Sequence, residues 1–335
     1  SAMRLFSASL DGSIMEWSMK TLAPIVVNDS HGGSIWSMAV SHGGSQLAVA
    51  CHDGGIRIFE VEEDSEVGTG VNFKKLLTPH PGQALSVCWS HDDKSIISGD
   101  SKGYVRVWNI KSGSLTTGCQ TISIRDNDGA SGHKSASLVW ALTVLPDLTI
   151  FAADSKGRTH VIDGGMGMVV KRFVSHHGAD VLALASDKFE VFSAGIDGRV
   201  VHYRRIIEAA DADETSPAVF SWVVAGASRF HTHDIRCLCL AGSFFAPSSK
   251  DINGKYVPTA DPSHPHAREA AKLDYSRLHR CIVSGGVDTQ MCLYTYEHYD
   301  HNKTVKLALG KGKTANAIMA SIRLPPWPAQ PCVAV

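Results

Sequence analysis

No apolar stretch in this chain approaches the roughly 20 residues that a membrane-crossing helix needs. A Cys-x-x-Cys pair is also absent. The eight cysteines, at positions 51, 88, 119, 237, 239, 281, 292 and 332, are scattered without the spacing of a zinc or redox site, and most read as small buried hydrophobes. Cys237 and Cys239 stand two apart in an apolar run, which puts both on one strand face and predicts a core role. Neither a secretory leader nor a disulfide-like spacing is visible, so the expected compartment is reducing, cytosol or nucleus. Charge of one sign is lacking as well. Lys and Arg number 32 against 33 Asp and Glu, a net charge of -1, so any attraction to nucleic acid or membrane must come from a local patch. Only 19% of residues are charged and 44% are hydrophobic, which excludes disorder throughout and supplies a sizeable core. Seventeen histidines make the true charge sensitive to pH near neutrality. Ser1-Ala2 before Met3 reads as a cloning remnant.

What is present is repetition. One eleven-residue pattern occurs six times without a gap: SASLDGSIMEW (7–17), VACHDGGIRIF (49–59), SGDSKGYVRVW (98–108), AADSKGRTHVI (152–162), SAGIDGRVVHY (193–203) and SGGVDTQMCLY (284–294). Each copy starts on small residues, turns at Asp-Gly or Lys-Gly, and closes five residues later on Trp17, Phe59, Trp108, Ile162, Tyr203 or Tyr294. This is a hairpin: glycine takes the positive φ that a tight turn demands, and the flanking apolar residues read as paired strands. Thr289 replaces the glycine at the sixth turn and makes it the exception. The turn residues Asp11, Asp53, Lys102, Lys156, Asp197 and Asp288 lie 42, 49, 54, 41 and 91 residues apart, near the size of a four-stranded propeller blade, and the last interval hides an insertion.

A histidine followed by a short apolar run precedes each full unit: His31, His80, His133, His177 and His233. The first four stand 23, 23, 24 and 21 residues before the next turn glycine. A histidine before the first strand, a turn Asp and a closing Trp together resemble the WD-repeat family, in which His, Ser or Thr, Asp and Trp form a buried hydrogen-bonded tetrad. The resemblance assigns structural roles to those five histidines and to Asp53, Ser98, Trp108, Asp197, Tyr203 and Asp288, with Asp11 and Trp17 in the opening unit. No repeat carries the whole set. Trp108 has His80 and Ser98, but Lys102 stands at the Asp position; Asp53 and His31 face Phe59, which cannot donate; Tyr203 keeps Asp197 and His177. Packing of sheet faces is expected to replace hydrogen bonds in several blades.

The fold expected is therefore all-β, a WD-repeat β-propeller of four-stranded antiparallel blades, about six present and seven in the intact ring. One domain spans 1–335, with a partial first blade at 4–30 and further blades from about 31, 80, 133, 177 and 233. Residues 4–17 supply second and third strands with no first strand before them. Either Thr314–Leu324 returns to supply it or a blade lies upstream; the second is favoured, because bare strand edges are avoided. Glu62–Val71 and Glu208–Pro217 read as acidic exposed linkers, and Arg125–Ser135 as a polar loop. The insertion 245–279, with a short helix expected from Pro265, is read as a partner contact, and 300–335 has no assigned place.

Catalysis is not expected. Ser, His and Asp recur around the repeats, whereas a triad is a single convergent constellation. GKGKT (310–314) lacks the earlier glycine of a phosphate loop, Leu307 standing there. No carboxylate or cysteine completes a metal site with His231, His233 or the histidines of 263–266. Trp36 and Trp140 read as core. Lys303, Lys306, Lys311, Lys313 and Arg323 fall within a stretch free of Asp and Glu and form a candidate RNA contact, against the plain reading of a solvated basic loop.

The run GGSIWSMAVSHGGSQLAVACHDGGIRIFEV (32–61), the DSKG turns at 100–103 and 154–157, and FHTHDIRCLCL (230–240) followed by SGGVDTQMCLY are more particular. Together they resemble the cirhin-like WD-repeat proteins of the small-subunit processome, in order from about Leu5 to Tyr294 and matching the first of two tandem propellers without its opening blade. The insertion after Phe245 and the ending after Tyr294 depart from the pattern. The resemblance implies a nucleolar, non-catalytic scaffold in ribosomal RNA precursor processing and small-subunit biogenesis, linked also to transcription. Its partners would be other processome proteins and precursor ribosomal RNA, with no cofactor, metal, membrane or small-molecule substrate. The alternative is a WD-repeat adaptor of another class, such as a ubiquitin-ligase substrate receptor or a trafficking scaffold.

Overall fold

The computed structural model describes residues 4–61, 70–77, 79–110, 119–125, 136–174, 176–186, 190–208, 219–242, 249–250, 256–257, 280–295 and 321–323. Its described elements are all strands, and they form six consecutive antiparallel blades. Blade 1 holds β1 (Leu5–Ala8), β2 (Ser13–Trp17) and β3 (Pro24–Asp29). Blade 2 holds β4 (Ile35–Val40), β5 (Gln46–Cys51), β6 (Ile56–Val61) and β7 (Val71–Leu76). Blade 3 holds β8 (Ala84–Trp89), β9 (Ser95–Asp100), β10 (Tyr104–Asn109) and β11 (Cys119–Ser123). Blade 4 holds β12 (Val139–Val144), β13 (Thr149–Asp154), β14 (Thr159–Asp163) and β15 (Met168–Phe173). Blade 5 holds β16 (Val181–Ser186), β17 (Glu190–Gly195), β18 (Arg199–Glu208) and β19 (Val219–Arg229). Blade 6 pairs β20 (Ile235–Gly242) with β23 (Arg280–Gly286), then β24 (Gln290–Thr295) and β25 (Ser321–Arg323). Between β20 and β23 the short strands β21 (Ser249–Lys250) and β22 (Tyr256–Val257) pair with each other.

The core lies between blades. Ala48, Ala50, Ile56 and Ile58 of blade 2 pack against Ala84, Val87, Ile96 and Trp108 of blade 3, and clusters of the same kind join each other pair of neighbours. The first strands β4, β8, β12, β16 and β20 touch in succession, and each second strand touches the first strand of the next blade. Small residues at the end of the second strand follow from that contact. A Cβ on Gly99 would collide with Val139, and one on Gly195 with the backbone of Asp180. β1 meets β4 as β5 meets β8, so blade 1 presents second, third and fourth strands.

Two expectations are corrected here. Of Thr314–Leu324, the less favoured source of the missing strand, the described residues Ser321, Ile322 and Arg323 pair with Cys292, Met291 and Gln290 as the outer strand of blade 6. Cys237 and Cys239 do share a face of β20, but both are exposed, because the buried side of that strand is the one carrying Leu238 and Leu240 toward blade 5. The expected linkers are shorter than drawn, since Val71 opens β7 and Glu208 closes β18. Cys51 and Cys292 are buried. The rest of both linkers, most of 125–135 and the helix expected from Pro265 lie outside the described residues.

Candidate functional site

The eleven-residue hairpins carry one polar network per blade. In blade 3, His80 Nε2 lies 2.7 Å from Ser98 Oγ, which accepts the Trp108 indole N–H at 2.8 Å. His80 Nδ1 faces Asp100 Oδ2 at 3.4 Å, with both side chains fully buried. The other oxygen of Asp100 accepts the backbone N–H groups of Lys102 and Tyr104 at 2.9 and 2.8 Å. The carboxylate missing from the turn is supplied two residues earlier, at the end of β9, which corrects the expectation that no repeat carries the whole set: His80, Ser98, Asp100 and Trp108 come together. Burial pushes the His80 pKa down, favouring neutral imidazole. Burial acts to raise the Asp100 carboxyl, but His80 and the two backbone N–H groups more than reverse this and hold it below the ordinary range.

Blade 5 reaches the same end with the carboxylate on the turn. His177 Nε2 lies 2.7 Å from Ser193 Oγ, and its Nδ1 lies 3.1 Å from both oxygens of Asp197. Ser193 Oγ donates to the Tyr203 hydroxyl, which donates in turn to Thr159 Oγ1 of blade 4, each at 3.1 Å. Tyrosine thus fills the place of tryptophan and also ties two blades together. In blade 6 the histidine is His231, not His233. His231 Nε2 lies 2.7 Å from Ser284 Oγ and its Nδ1 2.9 Å from Asp288 Oδ1. His233 is exposed, and among the described residues its ring meets its neighbour Thr232. The Tyr294 side chain lies outside the described set.

Blades 2 and 4 use other chemistry. His31, with φ of +56°, turns its ring to solvent and offers its carbonyl to Arg57 at 2.9 Å. Arg57 then clamps Asp53 with contacts of 3.0 and 2.6 Å, so Asp53 and His31 meet through arginine and not against Phe59. In blade 4, Asp154 occupies the place of Asp100. Its Oδ2 accepts from Ser137 Oγ at 2.8 Å and Arg158 Nε at 2.8 Å, and lies 3.0 Å from His160 Nε2. All four side chains are buried. His160 comes from β14, while His133 lies outside the described residues. In blade 1, Trp17 donates to Ser7 Oγ at 2.7 Å, and the exposed Asp11 accepts from the Ser13 backbone and hydroxyl.

Most of these hydroxyl, imidazole and carboxylate groups bond to one another inside the wall, which gives them a structural role, although His80 Nδ1, Asp100 Oδ2 and His160 Nδ1 make no hydrogen bond among the described residues. The turns they brace face outward at the end of the ring where the first strands begin. Each first strand from β4 to β20 has a register break after its first residue, leaving Trp36, Leu85, Trp140, Leu182 and Arg236 as extra residues there. Trp36 and Trp140 belong to blades 2 and 4, yet their ring centroids are 6.4 Å apart, so they meet across the channel mouth. Trp36 is 38% exposed and Trp140 half-buried, with its indole N–H on Asp180 at 2.9 Å. The expected core tryptophans are thus partly open to solvent. A separate cavity of about 330 Å³ between the β8–β9 and β12–β13 turns is lined by Ser90, His91, Asp92, Leu145, Pro146, Asp147 and Leu148. Lys303, Lys306, Lys311 and Lys313 lie outside the described residues; Arg323 lies in β25, not in a loop.

The WD domain, G-beta repeat pattern matches residues 23–60 and 72–109. Over 320 residues the chain is 29% identical to human U3 small nucleolar RNA-associated protein 4 homolog, covering 95% of this chain and 44% of that protein. It is 32% identical over 240 residues to U3 small nucleolar RNA-associated protein 4 of Schizosaccharomyces pombe, covering 71% of this chain and 31% of that one. Against the Saccharomyces cerevisiae protein of the same name it is 28% identical over 242 residues, with 71% and 29% covered. The chain spans less than half the length of these relatives. It is a WD-repeat β-propeller, similar along nearly all its length to part of the U3 small nucleolar RNA-associated protein 4 chains.

Proposed function

We propose that this chain is a non-catalytic scaffold of the small-subunit processome, acting in the nucleolus in ribosomal RNA precursor processing and small-subunit biogenesis. The observation that carries this reading is the similarity over 95% of the chain to a protein named for its association with U3 small nucleolar RNA. A scaffold role is consistent with the buried Ser, His and Asp groups of blades 3, 5 and 6, which bond to one another as braces of the blades. The finer part of the reading is that the chain corresponds to the first propeller of a cirhin-like protein, a single domain whose 245–279 insertion touches a partner. Its partners would be other processome proteins and precursor ribosomal RNA, the latter through Lys303, Lys306, Lys311, Lys313 and Arg323. Affinity capture of the tagged chain from nuclear extract tests the proposal. Recovery of processome proteins together with U3 and precursor ribosomal RNA supports it, and a clean absence of all three refutes it.

A further inference from the structure

The shift of the carboxylate in blades 3 and 4 has an outward consequence. In blades 5 and 6 the turn position holds Asp197 and Asp288, each bound to a histidine. In blades 3 and 4 the carboxylate has moved inward to Asp100 and Asp154, and the vacated turn position carries Lys102 and Lys156. Both lysines are exposed, and among the described residues neither has a carboxylate within ion-pair distance. They stand on neighbouring turns: Gly103 packs against the Ser137 carbonyl, and Leu138 donates its N–H to Ser155, the residue before Lys156. Arg125, held over the Tyr104 ring and bonded through Nε to the Lys102 carbonyl, adds a third cation beside the first. Among the described residues, Asp53 is engaged with Arg57, Asp180 with Trp140 and Asp234 with Arg236. Inside it, Trp36 and Trp140 offer partly exposed rings at the channel mouth.

We propose that the turns of blades 3 and 4, with the Trp36 and Trp140 pair inside them, form a docking surface for single-stranded RNA. Lys102, Lys156 and Arg125 hold phosphates, and an unpaired base lies against Trp36. Cations beside an open indole face suit this ligand because every base has a face to stack, whereas an acidic peptide would leave the rings unused. The inference deepens the processome reading by naming where RNA is touched, on residues separate from the basic cluster at 303–323.

The test is binding of a short, unstructured RNA oligonucleotide to the purified chain, followed by fluorescence anisotropy across a salt series. Lys102→Gln with Lys156→Gln should weaken binding about tenfold at low salt and flatten the salt dependence by about 1.4 in log–log slope, at roughly 0.7 per phosphate contact on a single strand. Trp36→Ala should weaken binding by about fivefold or more with the slope unchanged, as loss of a stacking contact does. Thermal melts of the lysine variant should match the parent, since Asp and Gly-flanked Lys both occur at this turn position. Unchanged affinity and slope in a folded double variant would overturn the proposal. So would an acidic peptide that binds more tightly than the oligonucleotide through the same lysines. Either result leaves capture of U3 RNA from extract intact if only this inference fails, and both measurements fail together if the processome reading is wrong.

Discussion

Trp108 donates its indole N–H to Ser98 at 2.8 Å, and the same hydroxyl meets His80 at 2.7 Å, so one serine joins the third strand of blade 3 to the loop ahead of its first. Ser98→Ala removes two bonds at once and leaves a buried indole N–H and imidazole without that partner. It should cost about 2–3 kcal/mol in urea unfolding, against no more than about 0.5 kcal/mol for an ordinary surface serine. Tyr203→Phe in blade 5, which loses the bridge to Ser193 and Thr159, should cost about 1–2 kcal/mol by the same measurement.

The turn glycines are fixed by the next blade as much as by their own φ. Gly54 has φ of +82°, and a Cβ there would meet the Gly82 and His80 carbonyls at 2.5 and 2.7 Å; at Gly157, φ of +73°, it would meet those of His177 and Ala179 at 2.8 and 2.9 Å. Gly157→Ala should destabilise by about 2–3 kcal/mol, combining positive-φ strain with a backbone clash. Thr289, φ of +61°, occupies the same turn position in blade 6 but is exposed. Thr289→Gly should therefore be neutral or stabilise by up to about 1 kcal/mol. Equal effects at both sites would show that inter-blade contact does not matter.

Asp154 pairs with Arg158 at 2.7 Å and lies 3.0 Å from His160, and all three side chains are buried. Asp154→Ala breaks this buried pair and should cost about 3–5 kcal/mol. Pairing it with Arg158→Met should recover part of that loss in a double-mutant cycle; purely additive losses would contradict the coupling.

Acidification should unfold the propeller in two stages. His80 and His160 have pKa values pushed below 6.5, first by burial, so the unfolded chain takes up protons that the folded one refuses. Stability is full above about pH 6.5 and falls as pH drops below it. Asp100, Asp154 and Asp197 titrate below 3.8 in the fold, so a second loss begins as pH falls through the ordinary carboxylate range. Urea midpoints between pH 8 and 5 should decline below 6.5, and less so in His80→Gln. A midpoint constant from pH 7.5 to 5.5 would contradict the burial of neutral imidazoles.

The blade repeat was legible because glycine turns and apolar strands are local signals. The buried networks were legible only in part, because they depend on contacts that residue type does not report. His231 and His233 are both candidates by composition. The spacing separates them: His80, His177 and His231 each stand four residues before the first strand residue, at Ala84, Val181 and Ile235. The same spacing also selects His31, yet the fold turns that ring outward because Arg57 takes the carboxylate. Asp100 and Asp154 stood in the DSKG turns in plain view, but that a carboxylate two residues early still reaches the imidazole or its substitute is a matter of side-chain reach. Cys237 and Cys239 show the limit of hydrophobicity: period two gives the shared face and not which face is covered.

Sedimentation of nuclear extract containing the tagged chain tests the central claim most directly. The chain should migrate with U3 small nucleolar RNA in large ribonucleoprotein particles and shift to light fractions on ribonuclease treatment. A chain confined to light, U3-free fractions before any treatment would contradict its role as a processome scaffold.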